Sequence, residues 1–250
     1  MIRRLKVLAT VMLCLAYHVV GQAATTNYGD FVGASVTYVD VTEGSGTDPV
    51  PLFGPPTVSG NTLDFDPVSF NSFSEDGGFD QTDGTLRFSI EAKDGQFIDK
   101  LKLEEAGDFT LLGLGGAPTF AQASVLGFLV EIDEVDGIPI DPIKISLDPQ
   151  VFASVNLADD GNGQIAQDIW TGEIVVDITD QLDVPFERGA TRVGVIFDNS
   201  LVTLSEEGTS SLIAKKDNGV RITVFPEPSS VMLLLLGCAA IVPLIHRRYR

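Results

Sequence analysis

A chain of 250 residues with 16 Lys/Arg against 35 Asp/Glu carries a formal charge of −19 at pH 7, a balance that repels nucleic-acid phosphates and argues for no nucleic-acid partner. Its two cysteines, Cys14 and Cys238, and its two histidines, His18 and His246, all lie near the termini. The long central stretch therefore has no disulfide, no Cys/His metal site and no histidine-activated nucleophile.

Arg3, Arg4 and Lys6 precede an apolar run from Val7 to Val20, and Gly21 and Ala23 supply small residues at −3 and −1 of a cleavage point. This is the pattern of a Sec signal peptide helix over residues 1–23, removed on export. The apolar run is shorter than the ~20 residues of a membrane span.

Residues 24–225 read as one all-β domain. In "GTLRFSIEAKDG", Leu86, Phe88, Ile90 and Ala92 alternate with Arg87, Ser89, Glu91 and Lys93; in "GEIVVDITD", Ile174, Val176 and Ile178 alternate with more polar neighbours. Period two means a strand with one buried face. Further strands are predicted at residues 36–42, 96–104, 109–114, 125–135, 143–147, 192–197, 201–204 and 220–225. One helical turn is allowed in "TFAQASVLGFLV". Asp83-Gly84, Asp94-Gly95, Asp136-Gly137, Asp160-Gly161 and Asn218-Gly219 mark tight reversals between antiparallel strands. Ten or more short strands fit a two-sheet antiparallel sandwich, jelly-roll-like in layout. The proline-rich stretch from Thr47 to Gly60 reads as a long crossover or edge extension. "FDPVSF" and "LDPQVF" echo each other as two strand exits, too briefly to establish a duplication.

Three groups within this domain are candidates for chemistry. Glu131 and Asp133 of "EIDEVD" share one strand face, a paired-carboxylate arrangement available to a glycosidase, although acids on a wet face are common in so negative a chain. Asp159, Asp160 and Asn162 of "ADDGNGQ" offer oxygen ligands for calcium, without the spaced carboxylate and terminal bidentate Glu of an EF-hand. Trp170, Tyr28 and Tyr38 are aromatics of the kind that stack on sugars. Parity places Trp170 with Ile174, Val176 and Ile178 on the core side, so it is expected to be buried. Asp168 shares that parity, so the strand is expected to bend or begin near Thr171-Gly172.

The chain closes with Pro226-Glu227-Pro228, an apolar run from Val231 to Ile245, and His246-Arg247-Arg248-Tyr249-Arg250. Fifteen helical residues rise roughly 22 Å against a ~30 Å hydrocarbon core, so the helix spans only with Ser229 and Ser230 added and the arginines snorkelling. The arginines stay cytoplasmic under the positive-inside rule, leaving the acidic domain outside. The prolines hold the segment before the span extended.

This tripartite end resembles the PEP-CTERM sorting signal over residues 226–250. The resemblance implies export by a Gram-negative, exopolysaccharide-producing cell, transient anchoring through a C-terminal transmembrane helix, and processing by an exosortase-like membrane protease at Pro226, Glu227 and Pro228, with Arg247, Arg248 and Arg250 as the basic stop. It implies no enzyme activity. The leading expectation is thus an exported, non-catalytic cell-surface or matrix protein associated with exopolysaccharide or biofilm. A carbohydrate-binding β-sandwich module is the alternative, and a secreted hydrolase using a carboxylate pair the second alternative. No cofactor beyond calcium is implied.

Overall fold

The computed structural model describes residues 24–226 apart from Val68; the expected signal peptide with Gly21 and Ala23, and the tail from Glu227 and Pro228 through Arg247, Arg248 and Arg250, lie outside them. Among the described residues no helix is long and apolar enough to cross a membrane. They form thirteen strands and a single 3-10 turn at Thr179–Gln181. In chain order the strands are β1 (Ala24–Val32), β2 (Val36–Ser45), β3 (Thr57–Ser59), β4 (Thr62–Phe65), β5 (Asn71–Glu75), β6 (Phe79–Ala92), β7 (Ile98–Gly113), β8 (Phe120–Val135), β9 (Ile138–Leu147), β10 (Gln150–Asn156), β11 (Ile165–Asp177), β12 (Ala190–Leu204) and β13 (Thr209–Pro226).

Every ladder is antiparallel. One layer runs β1, β2, β6, β12, β8, with β9 and β10 both paired to the outer edge of β8. The other runs β11, β7, β13, with β4 and β5 both paired to β13 and β3 beyond β4. A single pair, Ala190 opposite Ile98, joins the layers into one continuous sheet. That sheet wraps nearly into a barrel: on the far side Phe152 of β10 packs directly over Gly172 of β11, where a Cβ would fall 2.0 Å from its ring.

The core lies between the layers, fed by alternate residues of each strand. Leu86, Ile90, Val195 and Phe197 come from one layer and Leu101, Leu103, Leu111 and Ile222 from the other. The Thr47–Gly60 stretch is the expected crossover, and it carries Leu52 and Phe53 into this core. There Phe53 makes edge contacts with Phe65, Phe70 and Phe197 at centroid distances of 6.0, 4.8 and 6.4 Å. The Glu43 carboxylate, fully buried, fixes the crossover by accepting the Leu52, Phe53 and Gly54 amide protons and the Tyr28 hydroxyl.

Several expectations are corrected. The stretches 96–104 and 109–114 are one strand, β7, and 192–197 and 201–204 are one strand, β12. "TFAQASVLGFLV" holds no helical turn: from Phe120 onward it is strand, because its small residues Ala121 and Ala123 fit the sheet interior. β11 neither bends nor begins at Thr171-Gly172; its ladder with β7 is unbroken from Ile165 to Asp177. Asp168 keeps inward parity and is nonetheless exposed. Asp136-Gly137 is the predicted tight hairpin, joining β8 to β9 with φ of 54° and 78°, as a type I′ turn requires. Asp94-Gly95 is also a tight turn, closed by the Gln96 amide donating to the Lys93 carbonyl at 2.8 Å with Gly95 at φ 75°, and Asp160-Gly161 lies in the turn from β10 to β11, but neither joins strands that pair with each other. Asp83-Gly84 lies within β6, where Gly84 exists for packing: a Cβ there would meet the Phe53 and Phe70 rings at 2.8 and 3.0 Å. Asn218-Gly219 lies within β13, at a register irregularity between Lys215 and Val220.

The two echoing segments have a shared structural cause. Asp66-Pro67 separates β4 from β5 along β13, and Asp148-Pro149 separates β9 from β10 along β8. In each, proline withholds a ladder donor and one strand becomes two on the same partner.

Candidate functional site

The solvent face of the β1, β2, β6, β12, β8 layer carries an open groove of about 790 Å³. Strand parity builds it: residues that alternate with the buried Leu86, Phe88, Ile90, Val193 and Val195 must point outward, so each ladder sets a row of side chains across the groove. One row runs Thr42, Arg87, Ile196, Leu129. The next runs Val39, Ser89, Gly194, Glu131, and continues to Lys144 on β9. Ile196 and Leu129 give an apolar floor, while Arg87, Ser89 and Thr42 bring polar groups beside it.

Irregularities in the edge strands raise one wall. β2 bulges between Val39 and Thr42, with Asp40 at φ 55°, and β1 slips register around Gly29. Such extra residues re-aim side chains. Asp40 consequently stands over the groove, its amide donating to Asp30 at 2.9 Å and its carboxylate accepting from Asn27 at 3.4 Å.

Glu131 and Asp133, singled out in the sequence, form the opposite wall. Glu131 pairs with Lys144 at 3.2 Å. Burial, then the neighbouring Glu131 charge, pushes the Asp133 carboxyl above the usual carboxylate range, against the opposing pull of Arg192 and Lys144. Both acids rise from one strand and so approach an occupant from the same side. Glycoside hydrolysis needs two carboxyl groups flanking the scissile bond. The arrangement suits hydrogen bonding to a ligand better than bond cleavage.

The other candidates lie elsewhere. Trp170 is 4% exposed, as parity required, and Tyr38 is fully buried with its hydroxyl donating to the Asn61 carbonyl at 2.6 Å. Tyr28 donates to Glu43 at 2.6 Å. None of the three forms a stacking platform. Asp159, Asp160 and Asn162 sit on the turn between β10 and β11, where the carboxylates cap that turn: Asp159 accepts from the Asn156 side-chain amide at 2.9 Å and Asp160 from the Asn156 backbone at 2.8 Å. Among the described residues no three acidic, His or Cys side chains converge as metal ligands. Sequence reasoning had Arg87 and Ser89 on the wet face of β6 but not Asn27, Asp40 or Thr42; a bulge has no period to betray it.

No protein-family model matches the chain, and no curated protein matches it. Among solved structures, a carbohydrate-binding module specific for non-crystalline cellulose is 12% identical, over 58% of this chain and 78% of that one, with a TM-score of 0.20. A module solved with β-1,4-galactotriose is 6% identical over 83% and 90%, TM-score 0.18. Lectin II from Ulex europaeus is 11% identical over 80% and 97%, TM-score 0.17. Overlaps of this size carry no functional argument.

Proposed function

We propose that this domain is a non-catalytic carbohydrate-binding module of an exported surface or matrix protein, and that the groove over β1, β2, β6, β12 and β8 holds an uncharged polysaccharide. The carrying observation is the groove itself: an open trough on a hydrogen-bonded sheet, with apolar floor residues Ile196 and Leu129 between walls of Asn27, Asp40, Thr42 and Arg87 on one side and Glu131 and Asp133 on the other. A sugar chain offers both faces of that chemistry. Its hydroxyls donate to carboxylates and accept from Arg87, and its C–H surfaces lie on the aliphatic floor. Three wall carboxylates face the Arg87 guanidinium and the Lys144 ammonium, which is paired to Glu131, and on a chain of charge −19 this balance favours a neutral over an acidic polymer. We read the two layers as a jelly-roll-like sandwich.

Delivery belongs to the terminal segments. The export signal ending at Ala23 and the PEP-CTERM-like tail would place the module at the outer face of the cell envelope, where an exosortase-like protease acts after Pro228. Intact-mass analysis of surface-exposed protein tests this part: loss of Arg247 to Arg250 is expected, and mature protein still ending in Arg250 would overturn it. Affinity electrophoresis through gels containing neutral or acidic polysaccharides tests the binding: retardation by a neutral polymer, abolished in Arg87→Ala, is expected. Equal retardation of the Arg87→Ala variant would place binding outside the groove.

A further inference from the structure

We propose that Lys215 and Asn199 become covalently joined by an intramolecular isopeptide bond across the core, with Glu105 as the proton-transfer residue.

The three residues converge from three strands, β13, β12 and β7, at the centre of the molecule. Their exposures are 3%, 0% and 2%, in the company of buried Phe70 and Trp170. The Lys215 ammonium nitrogen donates to Glu105 Oε2 and to Asn199 Oδ1, the latter at 3.2 Å. It lies 5.3 Å from the centre of the Phe70 ring and 5.2 Å from that of Trp170. The aromatic rings keep water out, and Asn199 Cγ stands one bond beyond the contacted oxygen, so amine and carboxamide are held at close quarters.

Two further atoms point the same way. No hydrogen bond of normal length reaches either Glu105 Oε1 or Asn199 Nδ2 in their buried positions, although the Asn199 side chain lies close enough to Glu105 to favour its charged form. A buried polar atom left unpaired is a cost that a merely structural network avoids. Reaction removes both problems: Nδ2 leaves the protein, and a protonated Glu105 donates to the new amide. The buried charges vanish with it, which matters because desolvation weighs heavily on an ion pair in a dry core. Burial pushes the Lys215 pKa down and the Glu105 pKa up, each opposed by the other's charge and hydrogen bond and, for Glu105, by the neighbouring Asn199 side chain as well.

The step balances without any external reagent. Glu105 takes a proton from the Lys215 ammonium, giving a neutral amine and a carboxylic acid. The Nζ lone pair forms a bond to Asn199 Cγ, placing negative charge on Oδ1, which the Glu105 carboxyl proton stabilises. One proton then passes from Nζ to Nδ2, the Cγ–Nδ2 bond breaks, and ammonia departs. A neutral secondary amide and protonated Glu105 remain. The bond links a strand of each layer, and so supplies a covalent staple in a domain whose described residues contain no cysteine.

The test is mass spectrometry of the folded, purified chain after prolonged incubation. The expected result is a mass lower than that of the processed sequence by one ammonia, with trypsin leaving Lys215 uncut and a branched peptide joining the segments around Asn199 and Lys215. Glu105→Gln and Asn199→Ala are expected to show no ammonia loss, and a lower melting temperature where they fold. A wild-type mass equal to that of the uncrosslinked sequence, with Lys215 cleaved normally, would overturn the proposal whatever the variants do.

Discussion

Trp170 packs against Gly107, its cross-strand partner in the β11–β7 ladder, so closely that a Cβ at position 107 would fall 2.7 Å from two indole carbons and 1.9 Å from the Ala214 carbonyl oxygen. The single tryptophan is buried because the facing strand gives up a side chain. Gly107→Ala is therefore expected to force the indole or β13 outward, at an overpacking cost of roughly 1–3 kcal/mol. Urea denaturation and a red shift of tryptophan emission check both effects.

Glu43 anchors the crossover that delivers Phe53 to the core. Glu43→Gln keeps one acceptor oxygen and turns the other into a donor facing a backbone N–H that is itself only a donor, such as that of Gly54, while the Tyr28 hydroxyl must turn from donating to accepting. A loss of about 2 kcal/mol is expected from the unpaired groups. Urea unfolding of the variant reads it directly, and limited proteolysis within residues 46–56 is expected to accelerate.

Asp136 gives a pH signature. Burial by itself would raise its pKa, but the Glu187, Arg188 and Gly189 amides donate to the carboxylate and hold it below its ordinary value. A carboxylate depressed in the folded state contributes stability above its unfolded pKa and loses it as pH falls through the folded one. Asp136→Asn should thus lower the melting temperature at pH 7, with the difference from wild type shrinking as pH drops below the usual carboxylate range. Asn tolerates the positive φ, so the turn itself is preserved. A constant difference across pH would refute the electrostatic account.

The turn carboxylates of Asp159 and Asp160 are occupied by Asn156. Chelator is expected to leave the melting temperature unchanged. A clear fall would mean that calcium binds there, since a ligand specific to the native state stabilises it.

How much was legible beforehand follows from the physics of each residue. Arg87 and Trp170 were placed on the correct faces because period two survives along β6 and β11, whatever lies beside them. The pairing of β12 with both β6 and β8, which turns separate wet faces into one groove, is a long-range fact with no local trace. Gly84 and Gly107 misled or stayed silent for one reason: a glycine beside Asp reads as a turn, yet here each makes room for aromatic rings arriving from distant segments. Lys215, Asn199 and Glu105 are ordinary polar residues in sequence, and only the topology buries them together.

The central claim, that a polysaccharide lies in the groove, is tested most directly at Gly194. This residue sits mid-groove on β12, opposite Ser89 and Glu131, and a Cβ there would meet nothing closer than 3.7 Å. Gly194→Leu fills the trough from its floor and leaves the buried face of the strand untouched. In isothermal titration with neutral soluble polysaccharides, the account predicts saturable binding by wild type and its loss in Gly194→Leu, with the melting temperature retained. Undiminished binding by a folded Gly194→Leu variant, or no binding of any neutral polysaccharide by wild type, would contradict it.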